Sequence, residues 1–266
     1  MFDSFLDSPS KMLIVWILNF SLLTLRYFIF AGIAYGIFWI WKRDIWQYKR
    51  TQMDYPDKSK IIYEVKYSLI TMTVFATVGL FIFLMKKNGY TYIYNNISER
   101  GTGYFIFSVI IAILIHDTYF YWAHRLMHHK LLFKYVHKVH HNSTNPSPWA
   151  AFSFHPTESI LEALIVPMLV FIMPIHPLAI LAFLLYMTLM NVLGHLGFEL
   201  YPKGFTTHWF GKWNNTATHH NMHHKFFNCN YGLYFNFWDR VMGTNHPKYT
   251  DTFEEVKSRL PQVVNN

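Results

Sequence analysis

Apolar residues run through this chain in blocks too long for a half-exposed helix. Residues 12–41 (MLIVWILNFSLLTLRYFIFAGIAYGIFWIW) form the first block, 67–85 the second and 104–123 the third. Residues 160–196 are apolar again, interrupted by Pro174 and Pro177 in MPIHP. A helix needs about 20 apolar residues to cross a bilayer. The pattern therefore predicts three spans, then a helical hairpin that turns at MPIHP and supplies a fourth and a fifth. Arg26, in the middle of the first block, is expected to snorkel or to face another helix.

The polar segments between the blocks orient the bundle. Lys42, Arg43, Lys49, Arg50, Lys58, Lys60 and Lys66 lie between the first two spans, against Lys86, Lys87 and Arg100 between the second and third. The positive-inside rule puts the first of these segments in the cytoplasm. Counting onward places the polar regions after the third and fifth spans on the same side. The expected fold is all-α, an integral membrane bundle of about four to five transmembrane helices with a cytoplasmic helical cap. Residues 1–103 hold the first two spans and their loop, 104–246 the catalytic domain, and 247–266 a tail.

Composition agrees and narrows the classes. Of 266 residues 52% are hydrophobic and 14% charged, against roughly 25% charged in a soluble domain. On this background the net charge of +8 fits anionic headgroups and membrane orientation, and no nucleic-acid partner is expected. Cys229 is the only cysteine, which excludes an internal disulfide framework and thiolate clusters. MFDSFLDSPSK is acidic rather than basic, so no cleavable leader is expected.

The cap regions gather histidine. His124 and His128 are spaced i, i+4, and His137, His140 and His141 are spaced i, i+3, i+4, as are His220, His223 and His224. Asn191 and His195 repeat the i, i+4 spacing near the end of the fifth span. On a helix each set shares one face. Ten such groups are too many for one ion and suit two. Imidazole favours zinc, copper, iron or nickel. A paired centre in an apolar setting suggests O2-dependent attack on an unactivated C–H bond, protected from water. His129 and His219 adjoin these sets as ligands, histidine-supporting residues or substrate contacts, with His128 preferred to His129 on helical geometry. His176, His208 and His246 read as hydrogen-bonded core or interface residues.

The segments HDTYFYWAHRLMHH (116–129), HKVHH (137–141), SPWAAFSFHPTES (147–159), GHLGFELYP (194–202), HHNMHH (219–224), NYG (230–232) and WDRVMGT (238–244) follow one another over roughly residues 105–246. In that order the chain resembles the fatty acid hydroxylase and sterol desaturase superfamily of membrane di-iron enzymes, and more closely its sterol C-5 desaturase branch. The resemblance implies two non-haem irons, with zinc as a substitute in recombinant material. By position it implies His124, His128, His137, His140, His141, His195, His220, His223 and His224 as ligands, and Asn191 directly or through water. Asp117, Glu158 and Asp239 would accept the second ring N–H of a ligand histidine. Alternatively Asp239 pairs with Arg240 or caps a helix, and Glu158 only starts the fourth span. His116 and His155 would lie behind the ligands or in the substrate pocket. Tyr121, Trp122, Trp149, Phe152 and Phe154 would line a lipid channel or pack helices.

The activity expected is O2-dependent hydroxylation or desaturation of a membrane lipid, sterol-like or fatty-acyl, in a bacterial inner membrane or the endoplasmic reticulum. GTGYF at 101–105 has two glycines of a dinucleotide fingerprint and follows no strand, so electrons are expected from an external electron-transfer protein on the basic face. Two rivals remain: a membrane zinc hydrolase, which lacks an HExxH arrangement here, and a non-enzymatic metal transporter or haem-binding protein.

Overall fold

The computed structural model describes residues 8–261. Asp3 and Asp7 of the acidic N-terminus and the last five residues of the expected tail lie outside it. The architecture is helical, and the described residues form no β-sheet, only three isolated bridges.

Four helices are long and apolar enough to cross a membrane. α1 (Pro9–Ala34) runs on into a wider π-helical turn, Tyr35–Trp41. α2 spans Lys58–Lys87 and α3 Gly101–Met127. After the short α4 (Phe133–Val136), α5 (Lys138–His141), α6 (Pro156–Ala163) and α7 (Ile165–Ile172) comes the fourth, α8 (Pro177–Gly194). Leu13, Leu18, Leu22, Leu25, Ile29 and Ile33 of α1 are all exposed on the bare protein, as a lipid-facing surface requires. The chain is an integral membrane protein.

The hairpin expected over 160–196 is corrected in its first half. Its N-terminal arm is two eight-residue helices, neither long enough to cross alone. Pro167 explains the break. It has no N–H to offer the carbonyl of Ala163, and its ring crowds that carbonyl, so the helix is interrupted at Leu164. Together α6 and α7 still run the length of the bundle. α6 starts beside His137, and α7 ends where Val170 O accepts from Tyr92 N at 2.8 Å in the loop between α2 and α3.

Spans and cap are joined at the histidine end. Tyr27 Oη and Ser68 Oγ both donate to Trp149 O, at 2.9 and 3.0 Å, so α1 and α2 pin the turn Pro148–Phe152. Trp39 Nε1 donates to Leu196 O at 2.8 Å and ties the end of α1 to the turn after α8. α9 (Ala217–Phe226) lies across that end, with Thr216 as its N-cap accepting from His219 N. α10 (Phe237–Val241) and α11 (Tyr249–Ser258) complete the cap. α11 falls in the segment expected as a tail, and it buries Tyr249 and Phe253 against Met222 of α9.

Candidate metal centre

Two groups of imidazoles converge between α3, α5, α8 and α9. One holds His124, His128, His137, His141 and His223, and the other His140, His195, His220 and His224; in each, the candidate ligand nitrogens lie within 4.8 Å of one another. The division follows from helical geometry. With 100° per residue, positions i and i+4 differ by about 40° and share a face, while i+3 lies about 100° from i+4. So His137 and His141 enter the first group and His140 the second, whereas His220 and His224 enter the second and His223 the first. Each H-x-x-H-H motif thus exchanges its middle histidine with the other.

Hydrogen bonds at the far side of the rings set which nitrogen faces inward. Nδ1 of His124 donates to Tyr231 O at 2.8 Å, of His195 to Asn191 O at 2.8 Å, of His223 to Cys229 O at 2.7 Å and of His224 to Ser143 O at 2.9 Å. Nδ1 of His137 donates to Glu158 Oε1 at 2.6 Å. The four carbonyls have no proton to give, so the neutral rings of His124, His195, His223 and His224 carry their hydrogen on Nδ1 and turn a bare Nε2 inward, and an ionised Glu158 would do the same for His137. Burial pushes the cap imidazoles down: His195 to about 4, and His137, His140, His141, His220, His223 and His224 well below the usual histidine range, with mutual repulsion adding to burial. They are neutral at pH 7, as metal ligands must be.

The inward nitrogens crowd together. Nε2–Nε2 separations are 3.0 Å for His124–His137 and His128–His141, 2.9 Å for His141–His223, 3.0 Å for His195–His220, 3.1 Å for His220–His224 and 3.3 Å for His140–His195. With Glu158 ionised, the lone pairs of His124 and His137 both point inward, and at this distance they repel unless a cation lies between them. Nitrogens about 2.1 Å from one ion and 90° apart sit about 3.0 Å from each other; a tetrahedral arrangement would separate them by about 3.4 Å. The donor sets, five nitrogens in one group and four in the other, could hold two ions.

The other sequence candidates fall into place around this centre. Asn191 is buried one turn before His195; its amide Nδ2 donates to Ala151 O at 2.6 Å, and the residue lines a small cleft with His140, His195 and His220. His129 is exposed and its ring accepts from Leu131 N at 3.4 Å, outside both groups, which corrects its candidacy as a ligand. His219 is buried but in neither group, packed on Tyr249 with Nε2 3.6 Å from Asp239 Oδ2. His155 is the N-cap of α6, its ring engaged with Thr157 and in neither group.

Two of the three acids act through backbone rather than on a ring. Asp117 accepts from Tyr234 N at 2.9 Å and Phe235 N at 3.1 Å. Asp239 accepts from Tyr231 N and Gly232 N, both at 2.8 Å, and from Thr244 Oγ1 at 2.7 Å. Neither takes the ring proton of a candidate ligand, contrary to expectation. They hold the loop whose Tyr231 carbonyl orients His124, and only Glu158 bonds a ligand ring directly. Of the remaining histidines, His176 caps α8 and donates to Asn95 O at 2.9 Å, and His246 stacks on Phe226. His208, expected in an interface or core, is exposed.

An apolar cavity opens below the histidines between α1, α2, α3, α6 and α8. Phe152 and Phe154 line it, as does His116, whose Nδ1 is hydrogen-bonded to Tyr234 Oη at 2.7 Å. Trp149 instead packs on Tyr27 and Phe28, and Tyr121 and Trp122 pack on Trp238. The wall also holds Asn19, Arg26 and Glu162, of which sequence reading named only Arg26, as snorkelling or facing another helix. Arg26 faces the cavity rather than lipid. Glu162 was legible as the i+4 partner of Glu158, one turn deeper on α6.

Comparison with known proteins agrees with this geometry. The fatty acid hydroxylase family model matches residues 109–244, about half of the chain. The chain is 32% identical over 188 residues to the Delta(7)-sterol 5(6)-desaturase ERG3B of Gibberella zeae, covering 71% of this chain and 57% of that protein. It is 30% identical to the lathosterol oxidases of Rattus norvegicus and Homo sapiens, covering 75% and 70% of this chain and 67% and 62% of theirs. The chain thus spans about three fifths of the length of these relatives. No solved structure matches. With its family match, its sterol-desaturase relatives and its converging histidines, this chain belongs to the fatty acid hydroxylase family and, within it, resembles the sterol C-5 desaturases.

Proposed function

We propose that this protein is an O2-dependent membrane oxidoreductase that hydroxylates or desaturates a lipid, sterol-like or fatty-acyl, at a non-haem di-iron centre. The observation that carries this reading is the meeting of nine inward-facing imidazoles with the end of an apolar cavity inside a membrane bundle. One iron would be held by His124, His128, His137, His141 and His223, and the other by His140, His195, His220 and His224, with Asn191 beside the second. Bound iron would supply the activation of O2 and the oxidation of a C–H bond.

The protein's own residues do the rest. Tyr231, Cys229, Ser143 and Asn191 carbonyls and the Glu158 carboxylate fix the rings. Phe120, Phe152 and Phe154 keep water from the space between histidines and lipid, which preserves a reactive centre. The relatives' printed activities, on Delta(7)-sterols and lathosterol, support a sterol-like substrate. Electrons would come from an external protein on the basic cytoplasmic face.

The test is metal content joined to turnover. Protein purified with its native metal should contain two irons per chain and consume O2 in a reductant-dependent way with membrane lipid extract, yielding oxidised lipid. Tightly bound zinc with no O2 uptake after iron reconstitution would sink the reading.

A further inference from the structure

A second cavity, of about 290 Å³, lies between the last turns of α8 and the segments 198–202 and 215–217. His220 and Asn191 line it, and both also bound the small cleft among the histidines. Asn191 and Leu233 are shared with the apolar cavity, so the two cavities meet beside the second group of imidazoles. The second is the roomier, against about 110 Å³ for the first.

Its wall is continuous with the lipid-facing surface of the bundle. Leu181, Leu185 and Leu189 of α8 are exposed at i, i+4 spacing, and Leu193, next in that series, lines the cavity. Each step of four turns the series by about 40°, so the stripe that faces lipid rotates into the cavity mouth. Leu200, which also lines the cavity, is 41% exposed.

The neighbouring part of the cap sits at membrane depth. Trp238 Nε1 of α10 donates to Thr118 Oγ1 at 3.2 Å, and the Tyr234 ring packs edge-on against Tyr186, centres 5.0 Å apart. Thr118 lies nine residues before the end of α3 and Tyr186 eight before the end of α8, about 14 and 12 Å down from the histidine end. Asn236 N donates to Trp213 O at 3.0 Å, so the turn at 209–213 is carried on the same unit. Trp209, Phe210, Trp213, Phe237, Val241 and Met242 are all exposed there. Lys212 and Arg240 lie over the Trp213 ring. Aromatic side chains flanked by cations are what an interfacial surface presents to a bilayer.

We propose that the second cavity is a side door, through which lipid passes from the leaflet at the histidine end, between α8 and residues 200–217, to His220 without crossing water. The aromatic surface of α10 and the 209–213 turn is its sill, seated in the same leaflet. This rests on the lipid-oxidising reading above and adds the route by which the substrate arrives.

The experiment uses the iron-loaded full chain in nanodiscs containing cholesterol or palmitate that carries a diazirine on its apolar end. After illumination, adducts are mapped by peptide mass spectrometry. Leu181 and Leu185 report surrounding lipid. Thr216 and Ala217, 4% and 6% exposed, line the second cavity and report lipid inside it; both should carry adducts. Leu193→Trp or Leu200→Trp, by overfilling the mouth, should cut these buried adducts about tenfold relative to those at Leu181, with iron content unchanged. Buried adducts undiminished by both variants overturn the proposal. So do adducts at Phe75 or Val166 of the first cavity with none at 215–217, and either result leaves the lipid-oxidase reading standing. Adducts in neither cavity would remove that reading. The sill is tested in Phe237→Cys carrying a nitroxide, with unsubstituted protein as the control for Cys229. The label should collide with O2 as often as one at Leu185→Cys. Preferential collision with a water-soluble nickel chelate, or shielding from both by a protein partner, overturns the placement and the door with it.

Discussion

Removing the Glu158 carboxylate isolates what ring orientation contributes to metal binding. Glu158 and His137 are about 1% and 2% exposed, and their contact is 2.6 Å long. No other acceptor engages His137 Nδ1, so in Glu158→Ala the ring is free to rotate or to move its proton to Nε2, the nitrogen that must stay bare. A hydrogen bond to a charged group contributes about 1.5–3 kcal/mol, and supporting partners of this kind change metal affinity by about 10–100-fold. Glu158→Ala should therefore weaken iron binding by one to two orders of magnitude, read as the chelator concentration that strips half the metal. Glu158→Gln keeps an acceptor oxygen and should lose only a few-fold. Wild-type affinity in Glu158→Ala would refute the reasoning. So would equal losses in the two variants, because then the acceptor would not be what matters.

Other outcomes follow from the same geometry. His129→Ala should leave iron content unchanged, whereas His141→Ala, whose Nε2 neighbours both His128 and His223, should abolish lipid-dependent O2 uptake; equal effects would mean that the ligand set is misassigned. Gly232→Ala places a Cβ 2.4 Å from Phe235 O and 3.0 Å from Asp239 Oδ2. It should disturb the Tyr231 carbonyl and lower both thermal midpoint and iron per chain, while Gly103→Ala, with nothing within 4 Å, should do neither. Metal-free protein should lose stability on acidification. His195, depressed by burial to about 4, is neutral when folded but protonated when unfolded between its folded value and about 6.5. The unfolded state then binds more protons, so stability falls as pH drops through that window, by about 2 kcal/mol at pH 5 for one such histidine. A denaturation midpoint that is flat from pH 7 to 5 would contradict this.

What the sequence makes legible here is what lies within one helix. The spans, the i, i+4 pairs His124/His128 and His220/His224, and the choice of His128 over His129 all depend on local periodicity, and the chain adopts it. The break at Leu164 is also local, since Pro167 stands inside the apolar block. Less legible was anything set by approach of distant segments. Asp117 and Asp239 look like partners for histidines because acids near ligands often are. They are claimed instead by the backbone of residues 231–235, about 117 residues from Asp117 in sequence. Glu162 and Arg26 gain meaning only when α1 and α6 face each other across one cavity.

The exchange of His140 and His223 between the two groups has a consequence for assembly. α5 and α9 each contribute to both groups of imidazoles, so on the proposed two-ion reading neither ion would be lodged by one segment alone. The first ion to arrive would clamp the two segments together and prepare the nest for the second. Loading would then be cooperative: chains should hold two metals or none, with singly filled molecules scarce. The histidine end then behaves as a buckle that closes in a single action, and release of one ion opens it for both.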